Sequence, residues 1–577
     1  MHATTSFKIE HPNIDYFNNY YVVEFIVISL CLCLTASYCI LPLIIHQSLP
    51  YSHDMLFHVF QADQFTRGIA GGSLYPRWMA DANEGLGSPT FIFYAPFSYY
   101  IVAMIHSVVP SFRESMTIAI WFSFFLSGLA MYTAMRKTCG KHASLLSAII
   151  YQILPFHLLD LYARGTFAEL YAYAWGPLVF LSLQQIRVTK YPFWPVIVLG
   201  TSFAGLILTH LVTGFMLACA TGIYILFFSI RDKDWRFTIF STFGLIVGFG
   251  ITSFYLIPVI FERAYVHIDF ITTCVICDYT NNFLFDWKNI SGFFYQQLHM
   301  TVAIELVLIS LIASQSLKTF KTNDQQARQE LLFSVLFILS FFLTTPLSTP
   351  IWQFMPGFPS LQFPWRWILL MELFLCVTIA IYFNRMQFSK CRMYLITFIP
   401  LAIVSATIIY KASLFHKELI PSLENPILES QYAIAWEYIP IWASAPRQTI
   451  MNCGKEKMEV ISGNAAVSIT KWLPELRKGY IDASSSSKIK VSTFFYPGWK
   501  LFVDGKETPL SIQDQSGLMV FDVPQGRHDV AITFTDTDLR RTAKSISVIA
   551  LIMVMCLVFL AILPSTIVRY PSKQRCH

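Results

Sequence analysis

The sequence predicts a polytopic α-helical membrane protein with about 12 spans and a C-terminal extracytoplasmic β-sandwich domain before the last span. Of its 577 residues, 55% are apolar, 16% are aromatic and only 13% are charged. A soluble protein of this size carries about twice that charged fraction. The apolar residues form runs close to the roughly 20 residues that a spanning helix needs. The net charge of +6 lies mostly in short loops between these runs, which argues against nucleic-acid binding.

The first apolar run is predicted to be a retained membrane helix. The polar segment before it is too long for the n-region of a signal peptide, and the run itself is too long for an h-region. The candidate runs lie near 22–45, 91–110, 115–135, 142–160, 167–186, 193–210, 213–230, 237–259, 300–317, 330–345, 366–384, 393–411 and 545–568.

The positive charges of the short loops predict the orientation of the runs, because Lys and Arg are in excess in cytoplasmic loops. The loop at 136–141 and every second loop after it are basic, as is the C-terminal tail. If the N-terminus is also cytoplasmic, this alternation requires that one of the first three runs does not cross. The weakest is 91–110, which is rich in Phe and Tyr and contains Pro96, as is typical of an interfacial segment.

We therefore predict one long external loop, 46–114, with two interfacial helices near 54–70 and 96–109. Both termini are then cytoplasmic. The alternative has one more span and an external N-terminus, and it places Asp54 in the cytoplasm.

Three regions follow from this layout. Residues 1–411 form the transmembrane module, 412–543 form an external β-rich domain, and 544–577 form the last helix and a basic tail. Strands are predicted at 488–495, 500–503, 518–523 and 529–535. The dipeptide Asp504-Gly505 is a strong hairpin signal between alternating apolar runs. Tyr496 and Trp499 are predicted to be core residues unless they face solvent, in which case they would suit binding of a sugar polymer.

The segment Ser52–His58 is the most informative polar motif, because it follows directly after the first span. An Asp flanked by His53 and His58 at a membrane edge is costly unless it faces a cavity, a partner or a substrate. The alternative is a helix N-cap by Ser52 or Asp54, since both residue types favour that position. The two interpretations are compatible.

Several motifs together resemble the GT-C membrane glycosyltransferases. They are closest to the branch of bacterial membrane proteins described as YfhO-like or as related to 6-pyruvoyl-tetrahydropterin synthase. The motifs are SHDMLFH at 52–58, LYPRW at 74–78, GLGSPTFIFYAPFSYY at 85–100, YARGTFAE at 162–169, LTH at 208–210, LQFPWRW at 361–367 and FYPGWKLFVDGKETPL at 495–510. The resemblance spans most of the chain, and the set is more specific than any one motif.

The resemblance implies transfer of a sugar from a polyprenyl-phosphate carrier to an extracytoplasmic polysaccharide, lipid or protein at the bacterial inner membrane. The partners it implies are the lipid-linked sugar, the acceptor and membrane lipid. It implies no pterin chemistry and no firm cofactor. The aspartate is not part of a DxD motif, since Met55 and Leu56 follow it, which argues against dependence on a divalent cation.

The acid–base candidates are Asp54 and Glu169. Asp54 is predicted to be the general base that deprotonates the acceptor hydroxyl. Glu169 is predicted to supply a second carboxylate, and the alternative is that it pairs with Arg164.

The candidates for binding donor phosphate are basic residues at the external ends of spans, since the planar guanidinium fork matches phosphate oxygens. They are His53, His58, Arg77, Arg164, His210 and Arg366. The alternatives are ordinary structural roles: a satisfied polar contact for the histidines, and interfacial anchoring for Arg77 and Arg366.

Other groups keep several interpretations open. Cys274 and Cys277 form a CxxC in an external loop, where a local disulfide is favoured over a zinc half-site or a redox pair. Glu305 and Glu372 lie within spans, where carboxylates are functional candidates, but no motif supports them.

The competing function classes are a lipid or sugar transporter or flippase, and a non-catalytic assembly protein. No internal repeat of the kind common in transporters is evident.

Overall fold

The computed structural model describes residues 14–269, 275–286, 292–320, 325–386, 391–414, 436–444 and 456–562. The predicted partner Cys274 lies outside these residues, so the Cys274–Cys277 disulfide stays a prediction. The described chain forms a bundle of helices that begins at residue 14, a β-sandwich near the C-terminus, and a final helix that returns to the bundle. The protein is therefore a polytopic helical membrane protein with a C-terminal β domain, as predicted.

Long apolar runs form the bundle, because a helix satisfies its own backbone hydrogen bonds in lipid. Some helices are capped at their N-termini by a side chain. At Ser111, for example, the hydroxyl accepts a hydrogen bond from the Glu114 N–H. The helices of ten or more residues outside the first external loop are Ile14–Cys39, Phe112–Arg136, Lys141–Ile153, Trp175–Val188, Phe193–Thr209, Leu211–Asp232, Trp235–Ile251, Phe293–Phe320, Gln325–Leu343, Ile368–Arg385, Cys391–Leu414 and Asp538–Ile562. Shorter α-helices are Leu41–His46, Thr90–Phe93, Pro155–Leu159, Phe167–Ala172, Ser253–Phe261 and Thr349–Phe354.

Eight helices of the described residues are long and apolar enough to cross a membrane. A ninth span results if Trp235–Ile251 and Ser253–Tyr265, which are bent by 74° at their junction, count as one. The predicted runs 167–186 and 193–210 are occupied by shorter helices, and the run 393–411 lies within the helix Cys391–Leu414. Helical structure thus lies at every predicted span.

The first external loop has helices at both positions predicted to be interfacial. These are Met55–Ala70 and Phe97–His106. Ten residues of helix rise only about 15 Å, half the hydrocarbon thickness of a bilayer. The second helix is therefore too short to cross, in keeping with the expectation that this aromatic run lies outside the membrane.

The described residues of the C-terminal β domain form a sandwich of nine strands. The strands are β1 (Met458–Ser462), β2 (Ala465–Leu473), β3 (Leu476–Ala483), β4 (Ser487–Phe494), β5 (Trp499–Val503), β6 (Lys506–Thr508), β7 (Ser511–Ile512), β8 (Leu518–Val523) and β9 (Gly526–Phe534). One sheet has the order β1-β4-β8-β7 and the other β2-β3-β9-β5-β6, with antiparallel neighbours throughout. The four strands predicted from the sequence correspond to β4, β5, β8 and β9.

The predicted hairpin forms at Asp504-Gly505. Val503 pairs with Lys506, and the two residues between them have φ of +51° and +79°. A two-residue turn with two positive φ angles matches the right-handed twist of the flanking strands, and Asp-Gly is a favoured pair for it. The local sequence therefore fixes the register of β5 and β6.

The sandwich shares its hydrophobic core with the first external loop. Trp78 and Leu86 of the loop are buried in the same cluster as Tyr496, Trp499 and Phe534. The Leu86 carbonyl also accepts a hydrogen bond of 2.9 Å from the Phe494 N–H. Tyr496 and Trp499 are therefore core side chains, as predicted, and they do not form the alternative, a solvent-facing site for a sugar polymer. The shared core also argues against independent folding of residues 455–535.

A buried ion pair ties this external unit to the bundle. Arg540, near the start of the last helix, donates to both Glu262 carboxylate oxygens at 2.8 and 2.7 Å, and both side chains are 2% exposed. Tyr496 donates to the same carboxylate at 3.1 Å. Removing one partner of such a pair leaves an unpaired buried charge, which is strongly destabilising.

The orientation of the chain across the membrane remains a prediction, and cysteine labelling can test it. Val108 is 78% exposed and close to the predicted outer end of a span, whereas the exposed Lys137 lies in a predicted cytoplasmic loop. We expect a membrane-impermeant maleimide to label Val108→Cys in intact cells but to label Lys137→Cys only after the membrane is opened. The reverse pattern would move Asp54 to the cytoplasm.

Candidate functional site

Asp54 sits at the N-cap position of the helix Met55–Ala70, but it does not act as a cap. Its side chain makes no cap hydrogen bond, and in the described residues its carboxylate has no salt bridge. The side chain is half-buried. Its backbone is held instead, because the Asp54 N–H donates to the Arg164 carbonyl at 2.7 Å. A carboxylate that is fixed in place and left unpaired is available to a ligand.

A tight turn brings the Arg164 motif against Asp54. Residues Asp160–Arg164 form a single π-helical turn, which ends at Gly165 with φ of +70°. A side chain at Gly165 would bring its Cβ within 2.7 Å of the Met55 N. Glycine is therefore required for the close approach and for the positive φ.

Arg164 is the buried centre of an ion-pair cluster. Its guanidinium is 3% exposed, pairs with Asp160, and lies 2.7 Å from Glu169 Oε2. It also lies over the Trp365 ring, 4.6 Å from the centroid. The structure thus shows Arg164 paired with Glu169. This pairing was the alternative to a phosphate-binding role for Arg164 and a role as second carboxylate for Glu169. A catalytic role for Glu169 stays a prediction.

Arg366 is buried and, among the described residues, has no carboxylate partner. It lies in the turn Pro364–Trp367, and its exposed fraction is 8%. One terminal nitrogen donates to the Leu361 carbonyl at 2.7 Å, while Nε has no hydrogen-bond partner in the described residues. Asp54 and Glu169 act on it electrostatically without forming a salt bridge. A buried guanidinium with unused donors is a ready ligand for an anion.

Two of the predicted histidines line the same site. His210 marks the break between the helices Phe193–Thr209 and Leu211–Asp232, contacts the Thr213 hydroxyl at 2.8 Å, and faces Glu169. Burial lowers the pKa of His210 to about 4, so the ring is neutral near pH 7. His53 is exposed beside Asp54, and its backbone N–H donates to the Ala163 carbonyl at 3.3 Å.

His58 is a core residue rather than a phosphate ligand. It is 1% exposed, and its Nδ1 lies 2.8 Å from the Tyr99 hydroxyl. Burial lowers the pKa of His58 to about 3, so the ring carries no charge for a phosphate. The prediction that His58 binds donor phosphate is not supported by this geometry.

Arg77 belongs to a different place. It pairs with Asp536, and its backbone N–H donates to Glu475 Oε1 at 2.7 Å. Its guanidinium also lies 5.2 Å from the centre of the Phe534 ring. These partners belong to the β domain and to its connection with the last helix, and none belongs to the Asp54 site. Arg77 thus joins the first loop to the β domain, which corrects its assignment as a phosphate ligand.

Three residues of the site were missed from the sequence. Asp160 pairs with Arg164, and the i, i+4 spacing of the two residues was a usable signal. Tyr94 and Glu437 face Asp54 electrostatically, and both side chains are half-buried. Nothing local in the sequence marks Glu437, because it reaches Asp54 only through the tertiary fold.

The surroundings of Asp54 set its proton affinity. Burial raises the pKa of Asp54 above its ordinary value, while the charges of Arg164, Arg366 and His53 oppose the rise. A carboxyl group with a raised pKa is a stronger base than an ordinary aspartate. In the described residues, no three His, Cys, Asp or Glu side chains are grouped to hold a metal ion.

A family model covers residues 91–416, which is more than half of the 577-residue chain. It describes a membrane protein with a 6-pyruvoyl-tetrahydropterin synthase-related domain. The chain belongs to this family. The 6-pyruvoyl-tetrahydropterin synthase-related region thus contains Tyr94, Arg164, Glu169, His210 and Arg366, while Asp54 precedes it. No curated protein matches the chain in sequence.

Solved structures show distant similarity. The arabinofuranosyltransferase AftD from Mycobacteria is 13% identical over 66% of this chain and 27% of its own, with a TM-score of 0.44. ArnT from Cupriavidus metallidurans bound to undecaprenyl phosphate is 13% identical over 72% of this chain and 70% of its own, with a TM-score of 0.44. The Archaeoglobus fulgidus oligosaccharyltransferase is 10% identical over 71% of this chain and 60% of its own, with a TM-score of 0.44.

Proposed function

We propose that this protein transfers a sugar from a polyprenyl-phosphate-linked donor to an extracytoplasmic acceptor. One observation carries the proposal: an unpaired, half-buried carboxylate, Asp54, faces a buried arginine, Arg366, that has no carboxylate partner. A base and an anion ligand placed together suit the displacement of a phosphate leaving group by a hydroxyl nucleophile.

In the proposed reaction, the Asp54 carboxylate accepts the proton of the acceptor hydroxyl as that oxygen attacks the anomeric carbon. The bond between the anomeric carbon and the phosphate oxygen breaks, and the lipid phosphate leaves with that electron pair. The step produces the glycosylated acceptor, protonated Asp54 and the free lipid phosphate. No redox partner is involved.

The growing charge on the leaving phosphate needs fixed cationic groups. Arg366 has a free Nε donor, and its orientation is set by the bond to Leu361 and by the Phe363 ring at 4.9 Å. Arg164 supplies a second positive charge, but Asp160 and Glu169 already engage it. Arg366 is therefore the principal phosphate ligand in the proposal, and Glu169 positions Arg164.

The location suits a lipid substrate. The helix that Arg366 precedes, Ile368–Arg385, begins directly after the turn, so the guanidinium lies at the end of an apolar helix. A polyprenyl chain can stay in the bilayer while its phosphate reaches such a position. The acceptor arrives from the side of the β domain and the first external loop.

Replacing Arg366 tests the phosphate site. We expect Arg366→Ala to weaken binding of undecaprenyl phosphate by about 5- to 150-fold, the equivalent of losing 1–3 kcal/mol from a charged hydrogen-bonding ligand. Binding to the purified full chain in nanodiscs is the measurement. Arg67→Ala is the matched control, because Arg67 lies in the same external region but is 44% exposed and paired with Asp63. Equal affinities for Arg366→Ala and the wild type would remove Arg366 from the site.

A further inference from the structure

Four fully buried polar side chains lead from the candidate site into the helical bundle. They are Asp160, Tyr173, Glu372 and Glu305, each with an exposed fraction of 0%. Asp160 begins the path, since it pairs with Arg164. None of the other three takes part in the proposed sugar transfer.

Tyr173 links Asp160 to Glu372 within this path. Its hydroxyl lies 3.2 Å from Asp160 Oδ2 and 3.5 Å from Glu372 Oε2. Its ring is held by stacking on His157, with centroids 3.7 Å apart. A tyrosine hydroxyl can accept one proton and donate another, so it can link two carboxyl groups.

The two glutamates differ in their surroundings. Glu372 Oε1 accepts a hydrogen bond of 2.8 Å from the Phe156 N–H. Neither oxygen of Glu305 has a hydrogen-bond partner in the described residues. No salt bridge joins either glutamate to a cation there, and Glu305 is the charged group that acts most strongly on Glu372.

An ionised carboxylate is very costly in such a place, because it has lost its hydration without gaining a cationic partner. Two neighbouring ionised carboxylates would repel each other as well. Among the described residues, the titratable groups besides Asp160 and Tyr173 that interact electrostatically with the pair are Tyr151 and Cys376. Neither supplies a positive charge.

We propose that Glu305 and Glu372 form an intramembrane proton-holding site that is connected through Tyr173 to Asp160. Glu305 keeps its proton, whereas the proton of Glu372 is exchangeable. This inference does not depend on the proposed sugar transfer.

Proton exchange along the path balances as follows. The O–H bond of Glu372 breaks as a new O–H bond forms on Tyr173, and the original Tyr173 proton passes to Asp160 Oδ2. One proton has then moved from Glu372 to Asp160. The negative charge left on Glu372 is stabilised by the Phe156 N–H, and Arg164 retains only Glu169 as an ionised partner. The path thus changes the charge around Arg164 without moving a helix.

Infrared spectroscopy of the full chain in nanodiscs tests the proton-holding site. At neutral pH we expect protonated-carboxyl bands that are partly lost in both Glu305→Gln and Glu372→Gln. The Glu305→Gln variant should fold normally, because glutamine resembles a neutral glutamic acid in size and charge. Glu330→Gln is the control, since Glu330 is equally buried but is paired with Arg385 at 2.8 Å and is therefore ionised. Unchanged bands in both variants would overturn the proposal. A band that appears only when sodium is replaced by a large organic cation would also overturn it, because the carboxyl groups would then hold sodium and not a proton.

The connection through Tyr173 has its own test. Tyr173→Phe should shift the pH midpoint of the Glu372 band, because the hydroxyl that contacts Glu372 is removed. Tyr151→Phe is the matched control, since that hydroxyl donates to the Tyr173 carbonyl at 3.0 Å rather than to a carboxylate. Identical midpoints in Tyr173→Phe and the wild type would remove Tyr173 from the path.

Discussion

Replacing Asp54 with asparagine is expected to stop sugar transfer while folding and donor binding persist. Loss of a general base typically lowers the rate by about 10²- to 10⁴-fold. Asparagine keeps the size of aspartate and suits the N-cap position equally well. Because the Asp54 side chain makes no cap hydrogen bond, the substitution removes little else than the proton acceptor.

The measurement compares transfer from a polyprenyl-phosphate-linked sugar with binding of the same lipid. Asp63→Asn is a suitable control, since Asp63 lies in the same helix but forms a salt bridge with the exposed Arg67. Near wild-type transfer by Asp54→Asn would refute the proposed mechanism, and the transporter and assembly-protein alternatives would then lead. Retained transfer in Asp63→Asn together with loss in Asp54→Asn would support it.

The same residue predicts the pH dependence of the reaction. The pKa of Asp54 is raised by burial, and the base works only when it is ionised. The rate should therefore fall as the pH is lowered through the Asp54 pKa, at a higher pH than an ordinary aspartate would require. In Arg366→Ala the fall should move to still higher pH, because a positive charge that favours ionised Asp54 is gone.

Much of the candidate site was predictable because its members lie at the ends of apolar runs. Asp54, Arg164, Glu169, His210 and Arg366 all lie at predicted external ends of spans, and the alternation of basic loops places those ends on one side. What the sequence did not decide is how the charges pair. Arg164 is held by two carboxylates, whereas Arg366 forms no salt bridge in the described part of the chain.

Arg77 shows why the remaining assignments failed. Its sequence context, between Pro76 and Trp78, is that expected of an interfacial phosphate ligand. Its partner Asp536, however, is 459 positions away in the chain, and no local pattern reveals that contact. Glu437 was missed for the converse reason, since its approach to Asp54 also depends on the docking of distant segments.

The second large effect is expected at the joint between the first external loop and the β domain. Trp78 is fully buried, and its ring centroid lies 5.4 Å from that of Trp499 and 5.7 Å from that of Phe534. Gly87, with φ of +85°, lies so close that a Cβ there would be 2.7 Å from the indole Cζ2. The indole thus fills a space that is closed on several sides. The surrounding residues can therefore move little into the cavity that its removal would leave.

Trp78→Ala should destabilise the external unit by about 3–5 kcal/mol, the usual cost of deleting a buried aromatic side chain that leaves a cavity. Limited proteolysis of the full chain in nanodiscs is the measurement, with cleavage expected first within 456–537 and in the loop around Trp78. Trp235→Ala serves as the control, because Trp235 is 76% exposed and its loss should leave the cleavage rate unchanged.

A milder variant separates packing from the rest of the joint. Trp78→Phe keeps an aromatic ring against Trp499 and Phe534, so its protease resistance should lie between those of the wild type and Trp78→Ala. Because Arg77 and the Leu86 backbone anchor the same loop to the β domain, loosening at Trp78 should also weaken the contacts of these neighbours. Wild-type protease resistance in Trp78→Ala would show that the stability of the sandwich does not depend on the loop.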